Sequence, residues 1–110
     1  MNKKSVPLFS IVTIALNSEN SIRRTIKSVI SQTFHSFEYI IIDGGSTDGT
    51  LDILEEYKDQ IKVISEPDKG ISDAFNKGIK YSRGRFICFL NSDDWFEADI
   101  LNKIAKYALD

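Results

Sequence analysis

The sequence predicts an α/β fold, with a Rossmann-like, open and mostly parallel sheet of four strands that alternate with four helices. Three observations support this prediction. Four short apolar segments, the first of them rich in β-branched residues, alternate with four segments whose apolar residues recur at helical spacing. No linker, internal repeat or low-complexity segment interrupts the alternation. Such strand–helix repeats form parallel βαβ units with right-handed crossovers, so helices are expected on both faces of the sheet.

The strands are predicted from apolar runs that end at polar or turn-forming residues. They are Leu8 to Ala15, Tyr39 to Ile42, Ile61 to Ile64 and Arg85 to Leu90. The helices are predicted from apolar residues three and four positions apart. They are Ser18 to Gln32, a short segment marked by Leu51, Leu54 and Tyr57, Ile71 to Tyr81, and Glu97 to Leu109.

Two further expectations concern helix ends and faces. Ser18 or Asn20 is expected to cap the first helix, and Ser46 or Thr47 the second, because hydroxyl and amide side chains accept hydrogen bonds from the first free N–H groups. The third helix is expected to bury an apolar face made of Ile71, Ala74, Phe75 and Ile79.

Composition narrows the class of protein. The 110 residues are 42% hydrophobic and 27% charged, which fits one ordinary globular unit. The formal charge of −2 gives no basic excess for nucleic-acid binding. The single cysteine, Cys88, cannot form an internal disulfide, which fits a reducing, cytoplasmic setting. The N-terminal lysines and apolar run loosely imitate a secretory signal, but the run is short and no small-residue cleavage site follows.

Polar and acidic residues follow each predicted strand. Asn17 ends the first strand, Asp43 ends the second, Glu66 and Asp68 follow the third, and the segment from Asn91 to Asp94 ends the fourth. In open α/β sheets, ligands bind outside the carboxyl ends of the strands. The sequence therefore predicts a ligand site at this edge of the sheet.

Adjacent carboxylates at the end of the fourth strand suggest a metal site. Asp93 and Asp94 stand side by side, and like charges repel unless a cation or a substrate offsets them. Mg²⁺ and Mn²⁺ prefer such oxygen ligands, often with substrate phosphates completing the shell. The alternative is that one of the two aspartates caps the following helix.

Two further segments are candidates for nucleotide binding. "IIDGGSTDGT" offers Asp43 and glycines that allow close approach of a ligand, although it matches neither the dinucleotide fingerprint nor the phosphate-binding P-loop. Its alternative interpretation is a well-formed turn. In "EPDKGISDAFNKG", Asp73 and Asn76 share one helical face near a helix N-terminus that suits a diphosphate. Its alternative interpretation is ordinary solvated charge.

Three isolated residues have ordinary interpretations beside functional ones. His35 is expected at the surface or in packing, since no partner for catalysis stands near it in sequence. Cys88 is expected to be a small core residue. Trp95 could cover a sugar ring, or bury its own ring against the fourth helix.

Taken together, these segments resemble the N-terminal, nucleotide-binding half of family 2 glycosyltransferases, a partial GT-A fold. The resemblance runs from "FSIVTIALNSENSIRRTIKSVISQTF" through "FEYIIIDGGSTDGTLDIL" to "SEPDKGISDAFNKGIKYSRGRFICFLNSDD". It implies that Asn17, Asp43, Asp73, Asn76 and Asp93 line the nucleotide-sugar site. It further implies that Asp94 and Asp93 form the metal site, with Asp43 contacting the nucleotide base. Leu16 and the Asn91–Ser92 pair depart from the common family pattern, in which Tyr and Asp are frequent.

The resemblance implies transfer of a sugar from a nucleotide diphosphate donor to an acceptor hydroxyl, with inversion and with Mn²⁺ or Mg²⁺ as cofactor. The acceptor would be a saccharide or a lipid-linked molecule. The general base of the family lies beyond the acidic motif, so residues 1–110 are expected to be the N-terminal nucleotide-binding portion and inactive alone. A free sheet edge invites self-association, and membrane association could arise in the full-length protein.

Two other functional classes share some of these features. A non-enzymatic nucleotide-binding or receiver-like signalling module also gathers acids at strand ends, but needs them after the first and third strands, and this chain has Asn17 after the first. A sugar-nucleotide pyrophosphorylase shares the metal chemistry, but would need a glycine-rich basic loop after that strand. "LNSENSIRR" has no glycine.

Overall fold

The computed structural model describes residues 6–109, so the first residues of the signal-like segment lie outside it. Strands and helices alternate along the chain as the sequence predicts, with four of each among these residues. In chain order they are β1 (Phe9–Ala15), α1 (Ile22–Ile30), β2 (Phe37–Asp43), α2 (Thr50–Glu56), β3 (Lys62–Ser65), α3 (Ile71–Tyr81), β4 (Phe86–Phe89) and α4 (Ile100–Ala108).

The four strands form one parallel sheet in the order β3-β2-β1-β4. Ala15 at the end of β1 pairs with Asp43 at the end of β2, and Asp43 pairs with Ser65 at the end of β3. The carboxyl ends of three strands are thus level. The first three strands are added in one direction, from β1 to β3. The chain then crosses β2 and β1, and β4 pairs with the opposite edge of β1, so the direction of strand addition reverses there. Such a reversal is where ligands bind in open α/β sheets.

Helices cover both faces of the sheet, which confirms the predicted layering. On one face, a core of buried residues joins the sheet to α1, α2 and α4, with Ile26, Leu54 and Leu101 as contributions from the three helices. On the other face, Ala74 of α3 packs with the strand residues Val12, Ile40 and Ile42. This second core is smaller, and among the helices described between residues 6 and 109 only α3 contributes to it.

The predicted inner face of α3 is partly wrong. Ala74 is buried, but Ile71 and Ile79 are 64% and 53% exposed. Gly78 is the other buried residue of the helix. A Cβ added at Gly78 would lie 2.8 Å from Cγ1 of Val12. The helix therefore approaches the sheet through its small residues, and its large apolar residues are displaced to the sides.

The predicted helix caps are also wrong. α1 begins at Ile22 with Ser21 as its N-cap, and no side chain caps it. Residues 18–21 form a turn in which the carbonyl of Ser18 accepts bonds from the N–H groups of Ser21 and Ile22. α2 follows Gly49, again without a side-chain cap. The hydroxyls expected to cap these helices bond elsewhere, Ser18 with Ser92, Ser46 with Asp43 and Thr47 with Asn17.

Two further observations concern the helices and the edge of the sheet. None of the helices described between residues 6 and 109 is long and apolar enough to cross a membrane. β4 pairs with β1 along one edge only, and Phe86, Ile87 and Phe89 of this strand are exposed. The self-association expected through a free edge stays a prediction.

Candidate functional site

A cavity of about 290 Å³ opens at the carboxyl ends of β1 and β2, where the loop after β3 and the start of α3 close over it. Its lining residues come from all four of these segments. They are Ile14, Ala15, Leu16, Gly44, Asp68, Gly70, Ile71 and Ala74. The walls are mostly aliphatic or glycine, and among these residues Asp68 has the only ionisable side chain. The predicted edge of the sheet therefore carries an apolar pocket with one charged group.

Asp43 is fully buried at the end of β2, where it organises the turn that follows. Its Oδ2 accepts hydrogen bonds from the N–H groups of Gly45 and Ser46, at 3.0 and 2.9 Å, and from the hydroxyl of Ser65 at 2.9 Å. Its Oδ1 accepts from the Ser46 hydroxyl at 2.5 Å. These four hydrogen bonds, three to Oδ2 and one to Oδ1, fix the carboxylate within the turn after β2 and against the end of β3. The base contact predicted for Asp43 stays a prediction.

Asn17 joins the loop after β1 to the loop after β2. Its backbone is left-handed, with φ of 50°. Its side-chain oxygen accepts from the N–H of Thr47 at 2.8 Å, and its own N–H donates to the hydroxyl of Ser46 at 2.8 Å. The structure thus places Asn17 beside the turn that Asp43 organises, with its amide oxygen already bonded.

Asp73 lies in the first turn of α3, where its Oδ2 accepts a hydrogen bond from the N–H of Lys69 at 2.9 Å. This bond, together with the charge of Lys77 one helical turn later, holds the pKa of Asp73 below its ordinary value despite some desolvation. Asn76 is exposed on the neighbouring turn. The two residues share a side of the helix, as the spacing predicts.

Lys77 of α3 is the cation at the centre of the acidic residues that follow β3, a role that was not predicted from the sequence. Its Nζ lies 2.5 Å from Oδ1 of Asp68, 3.2 Å from Oε1 of Glu66 and 3.6 Å from Oδ2 of Asp73. The hydrogen bond with Asp68 is the main reason that its pKa is raised, against the effect of desolvation. The spacing of Asp73 and Lys77, one helical turn apart, is the sequence feature from which an ion pair of Lys77 could have been predicted.

The acidic segment after β4, residues 91–94, is anchored by hydrogen bonds to its backbone, and its two carboxylates are exposed. The carbonyl of Ser92 accepts from the hydroxyls of Ser21 and Thr25, at 2.8 and 2.9 Å, and the carbonyl of Asp94 accepts from Thr25 at 2.5 Å. Within residues 6–109, the side chains of Asp93 and Asp94 have no protein hydrogen bond or ion pair. α4 begins only at Ile100, so neither aspartate caps it.

These two carboxylates fit a metal site that substrate would complete. Nowhere in residues 6–109 do three His, Cys, Asp or Glu side chains converge on a position that could hold a metal ion. Mg²⁺ commonly takes one or two protein carboxylates, with water and substrate phosphates as its remaining ligands. The exposed oxygens of Asp93 and Asp94 have the chemistry for such a partial site. An ion held there would depend on phosphate for firm binding.

Trp95 lies in the open beside the acidic segment. It is 52% exposed, so the alternative that its ring is buried against the fourth helix is wrong. The guanidinium carbon of Arg24 lies 3.9 Å from the centre of its ring. His35 is exposed, as expected, whereas Cys88 is half-buried at the margin of the first core, where burial raises the pKa of its thiol.

Comparison with known families gives one match over nearly the whole chain. The pattern of the family described as "Glycosyl transferase family 2" matches residues 10–110. This match favours the glycosyltransferase hypothesis over the receiver-like module and the pyrophosphorylase.

Two relatives come from Bacillus subtilis (strain 168). The candidate glycosyltransferase EpsH is 38% identical over 107 residues, which are 94% of this chain and 31% of that protein. The candidate teichuronic acid biosynthesis glycosyltransferase TuaG is 37% identical over 108 residues, which are 94% of this chain and 43% of that protein. The chain therefore spans less than half the length of these relatives.

Two solved structures share the fold. S. aureus TarS 1-349 in complex with UDP-GlcNAc superposes with a TM-score of 0.81 at 30% identity, over 90% of this chain and 30% of that one. The mannosyltransferase PcManGT from Pyrobaculum calidifontis, in complex with GDP-Man and Mn²⁺, gives a TM-score of 0.85 at 18% identity, over 94% of this chain and 33% of that one. The second likeness concerns the fold alone. The family match and the parallel α/β sheet, which is that of GT-A structures, lead to one conclusion: this chain belongs to glycosyltransferase family 2.

Proposed function

We propose that this chain binds the donor in an inverting, metal-dependent transfer of a sugar from a nucleotide diphosphate to an acceptor hydroxyl. The observation that carries the proposal is the exposed pair of carboxylates, Asp93 and Asp94, held at the same sheet edge as an apolar cavity. The hydroxyls of Ser18 and Ser92 lie 2.7 Å apart and connect the two features, because Ser18 follows Leu16 of the cavity wall by two residues.

The chemistry follows from this layout. The base of the donor occupies the apolar cavity, and its diphosphate extends toward the acidic segment. Asp93 and Asp94 hold a divalent cation, which supplies charge neutralisation for the diphosphate leaving group. Ser21 and Thr25 fix the backbone under these carboxylates, so the carboxylates keep their position when the phosphates approach. The acceptor hydroxyl attacks the anomeric carbon from the face opposite the leaving diphosphate.

The relatives support the donor class. The TarS structure, at 30% identity, contains UDP-GlcNAc. The chain covers 31% and 43% of EpsH and TuaG, so the role proposed for it is donor binding and not the whole transfer. The acceptor is a saccharide or a lipid-linked molecule, and the reaction takes place on the cytoplasmic side.

Calorimetric titration of UDP and GDP tests the proposal, first with Mn²⁺ and then with a chelator. We expect Mn²⁺ to strengthen binding of the preferred nucleotide by about tenfold or more, because the cation offsets repulsion between the carboxylates and the diphosphate. Asp94→Asn should remove this gain. Asp52→Asn, a matched change at an exposed position of α2, should retain it.

In the full-length protein, Asp94→Asn should abolish sugar transfer while the circular dichroism spectrum is unchanged. Nucleotide affinity that is the same with and without Mn²⁺ would exclude Asp93 and Asp94 as ligands. A chain that binds no nucleotide under either condition would exclude the donor-binding role itself.

A further inference from the structure

We propose that two copies of this chain pair through their β4 strands, which run antiparallel and join the two four-stranded sheets into one. The contact lies at the sheet edge opposite β3, and it does not depend on donor binding. Two-fold symmetry gives both copies the same contact surface. Backbone geometry sets the register, in which Cys88 of one copy lies opposite Cys88 of the other.

β4 is an edge strand that lacks the features by which proteins normally keep sheet edges apart. Its residues, from Phe86 to Phe89, are all apolar. Among residues 6–109, no strand pairs with its outer side. Phe86, Ile87 and Phe89 are 41%, 37% and 40% exposed. Edge strands are usually protected by charged residues, by proline or by a covering segment. β4 therefore has the composition of an interior strand at the edge of the sheet.

The hydrogen bonds between β4 and β1 identify the backbone groups of β4 that face outward. The N–H groups of Phe86 and Leu90 donate to carbonyls of Leu8 and of β1, at 2.9 and 2.8 Å. Alternate residues of a strand direct their backbone groups to opposite sides. The N–H and C=O groups of Ile87 and Phe89 are therefore directed away from β1, toward the free edge.

One antiparallel register uses all of these outward groups. When Ile87 of one copy lies opposite Phe89 of the second copy, the pair exchanges both of its N–H···O=C hydrogen bonds, and the symmetry repeats the pair. Cys88 then lies opposite Cys88 of the second copy, in the position without hydrogen bonds. On one face of the joined sheet Ile87 covers Phe89 of the second copy, and on the other face Phe86 covers Leu90. The exposed apolar side chains of the edge thus become partners of one another.

The charges at the two ends of β4 favour a second copy as the partner. Arg83 and Arg85 precede the strand, and Asp93 and Asp94 follow it. Antiparallel pairing places the start of each strand beside the end of the other, so the basic residues of one copy approach the acidic residues of the second. Parallel pairing would bring like charges together. Arg83 also lies 3.4 Å from Glu38 of its own chain, so Arg85 contributes more of the attraction. This complementarity selects an antiparallel second copy.

Sedimentation equilibrium of the unaltered protein in a metal-free buffer tests the association. One strand pair is a small interface, so we expect a dissociation constant between about 10 µM and about 1 mM. Hydrogen exchange is then measured at concentrations below and above this constant. The N–H groups of Ile87 and Phe89 should exchange about threefold or more slowly in the associated protein. The N–H of Cys88, which is directed to β1, should be protected at both concentrations.

Substitutions at Ile87 test the edge itself, with circular dichroism as a check of folding. Ile87→Pro removes an outward N–H and leaves the bonds to β1, a position at which an edge strand tolerates proline. It should raise the dissociation constant by at least about tenfold, whereas Ile87→Val, which keeps the N–H, should change it by no more than about threefold. Ile87→Lys places a charge on the edge and should also prevent association. Leu51→Lys, at a residue of α2 that is 39% exposed, is the matched control and should associate normally.

Cys88 tests the register. The Cα atoms of the two Cys88 residues would lie about 4.5 Å apart, a separation at which a disulfide can form. A register shifted by two residues would place them about 7 to 8 Å apart. Diamide takes up the hydrogen atoms of both thiols as the disulfide forms, and it should yield a covalent dimer that a reducing agent separates. Ile87→Pro should yield much less of this dimer at the same concentration.

A protein that stays monomeric up to about 1 mM would overturn the proposal, and so would a dimer that Ile87→Pro and Ile87→Lys leave unchanged. A dimer in which the N–H groups of Ile87 and Phe89 exchange no more slowly, or in which Cys88 forms no disulfide, would overturn the proposed pairing. The same measurements on the full-length protein identify the occupant of the edge. If that protein is monomeric and these N–H groups are protected, another of its segments pairs with β4 and the proposal is wrong.

Discussion

The hydroxyl oxygens of Ser18 and Ser92 lie 2.7 Å apart, although 74 residues separate them in the chain. Around this contact, Ser21 and Thr25 of the first helical region donate hydrogen bonds to the carbonyl of Ser92. The acidic segment after β4 is thereby tied to the start of α1. Its carboxylates extend from a backbone that is fixed at several points, which is the arrangement that a precise metal site requires.

Thr25→Val should loosen this tie. The Thr25 side chain is buried, and its hydroxyl donates to the carbonyls of both Ser92 and Asp94. Valine keeps the shape but leaves those carbonyls without this donor, so we expect a loss of about 1 to 3 kcal/mol in the free energy of unfolding. Urea denaturation measures this loss, and nucleotide titration should show a smaller effect of Mn²⁺.

The control for this change is Thr33→Val, which removes an exposed hydroxyl that donates to Asp99 and accepts from Asn102 at the surface. It should alter the free energy of unfolding by no more than about 0.5 kcal/mol. Equal urea midpoints for Thr25→Val and the unaltered protein would contradict the role given to Thr25.

Asp43→Asn should destabilise the fold strongly. The buried carboxylate accepts two backbone N–H groups and two hydroxyls, and an asparagine amide would turn donor protons toward some of these donors. We expect a loss of about 2 to 4 kcal/mol in the free energy of unfolding. Urea denaturation measures it, with Asp52→Asn as the exposed control.

This variant also addresses the base contact that the family resemblance implies for Asp43. If Asp43→Asn is as stable as the unaltered protein but binds UDP and GDP much more weakly, the carboxylate contacts the nucleotide and its role in the turn is secondary. The hydrogen bonds of Asp43 within the turn predict a loss of stability in this variant.

Glu38 should make stability depend on pH at the other end of the sheet. Burial by itself raises its pKa, but hydrogen bonds from the Ser10 hydroxyl and the Arg83 N–H outweigh it, so the pKa lies below the ordinary value of 4.5. A carboxyl whose pKa is lowered on folding adds stability above its unfolded pKa and loses it as the pH falls through the folded pKa.

The expected result is a drop in the urea midpoint of the unaltered protein between about pH 6 and about pH 3. Glu38→Gln should show a smaller drop, because the amide has no charge to lose. Glu55→Gln, at an exposed site, should behave like the unaltered protein. An identical drop in all three proteins would show that Glu38 does not contribute.

Gly78→Ala should destabilise the protein, although alanine normally stabilises a helix interior by about 1 kcal/mol relative to glycine. The new methyl group would lie 2.8 Å from Cγ1 of Val12 and 3.2 Å from Cε1 of Phe89. Val12 is buried and branched, so it cannot move aside, and we expect a net loss of about 1 to 3 kcal/mol. Thermal unfolding measures it, with the exposed Lys80→Ala as control. A rise in melting temperature would show that α3 can move away from the sheet.

The elements of the fold could be read from the sequence because each depends on neighbours a few positions away. α3 spans Ile71–Tyr81 as the spacing predicts, and the end of β2 moves only from Ile42 to Asp43. Hydrophobic spacing identified α3 as a helix but not the face that contacts the sheet. Ala74 and Gly78 form that face because close approach depends on side-chain size and not on hydrophobicity.

By itself, the sequence determined the alternation of strands and helices, the parallel sheet and the clustering of polar residues at one sheet edge. Only the tertiary structure decided which of those polar residues are free. It directed both oxygens of Asp43 to the turn after β2, left Asp93 and Asp94 exposed, and joined Lys77 to Asp68. Periodicity specifies local backbone conformation, whereas these partnerships arise when crossovers bring distant loops together, and local spacing does not encode them.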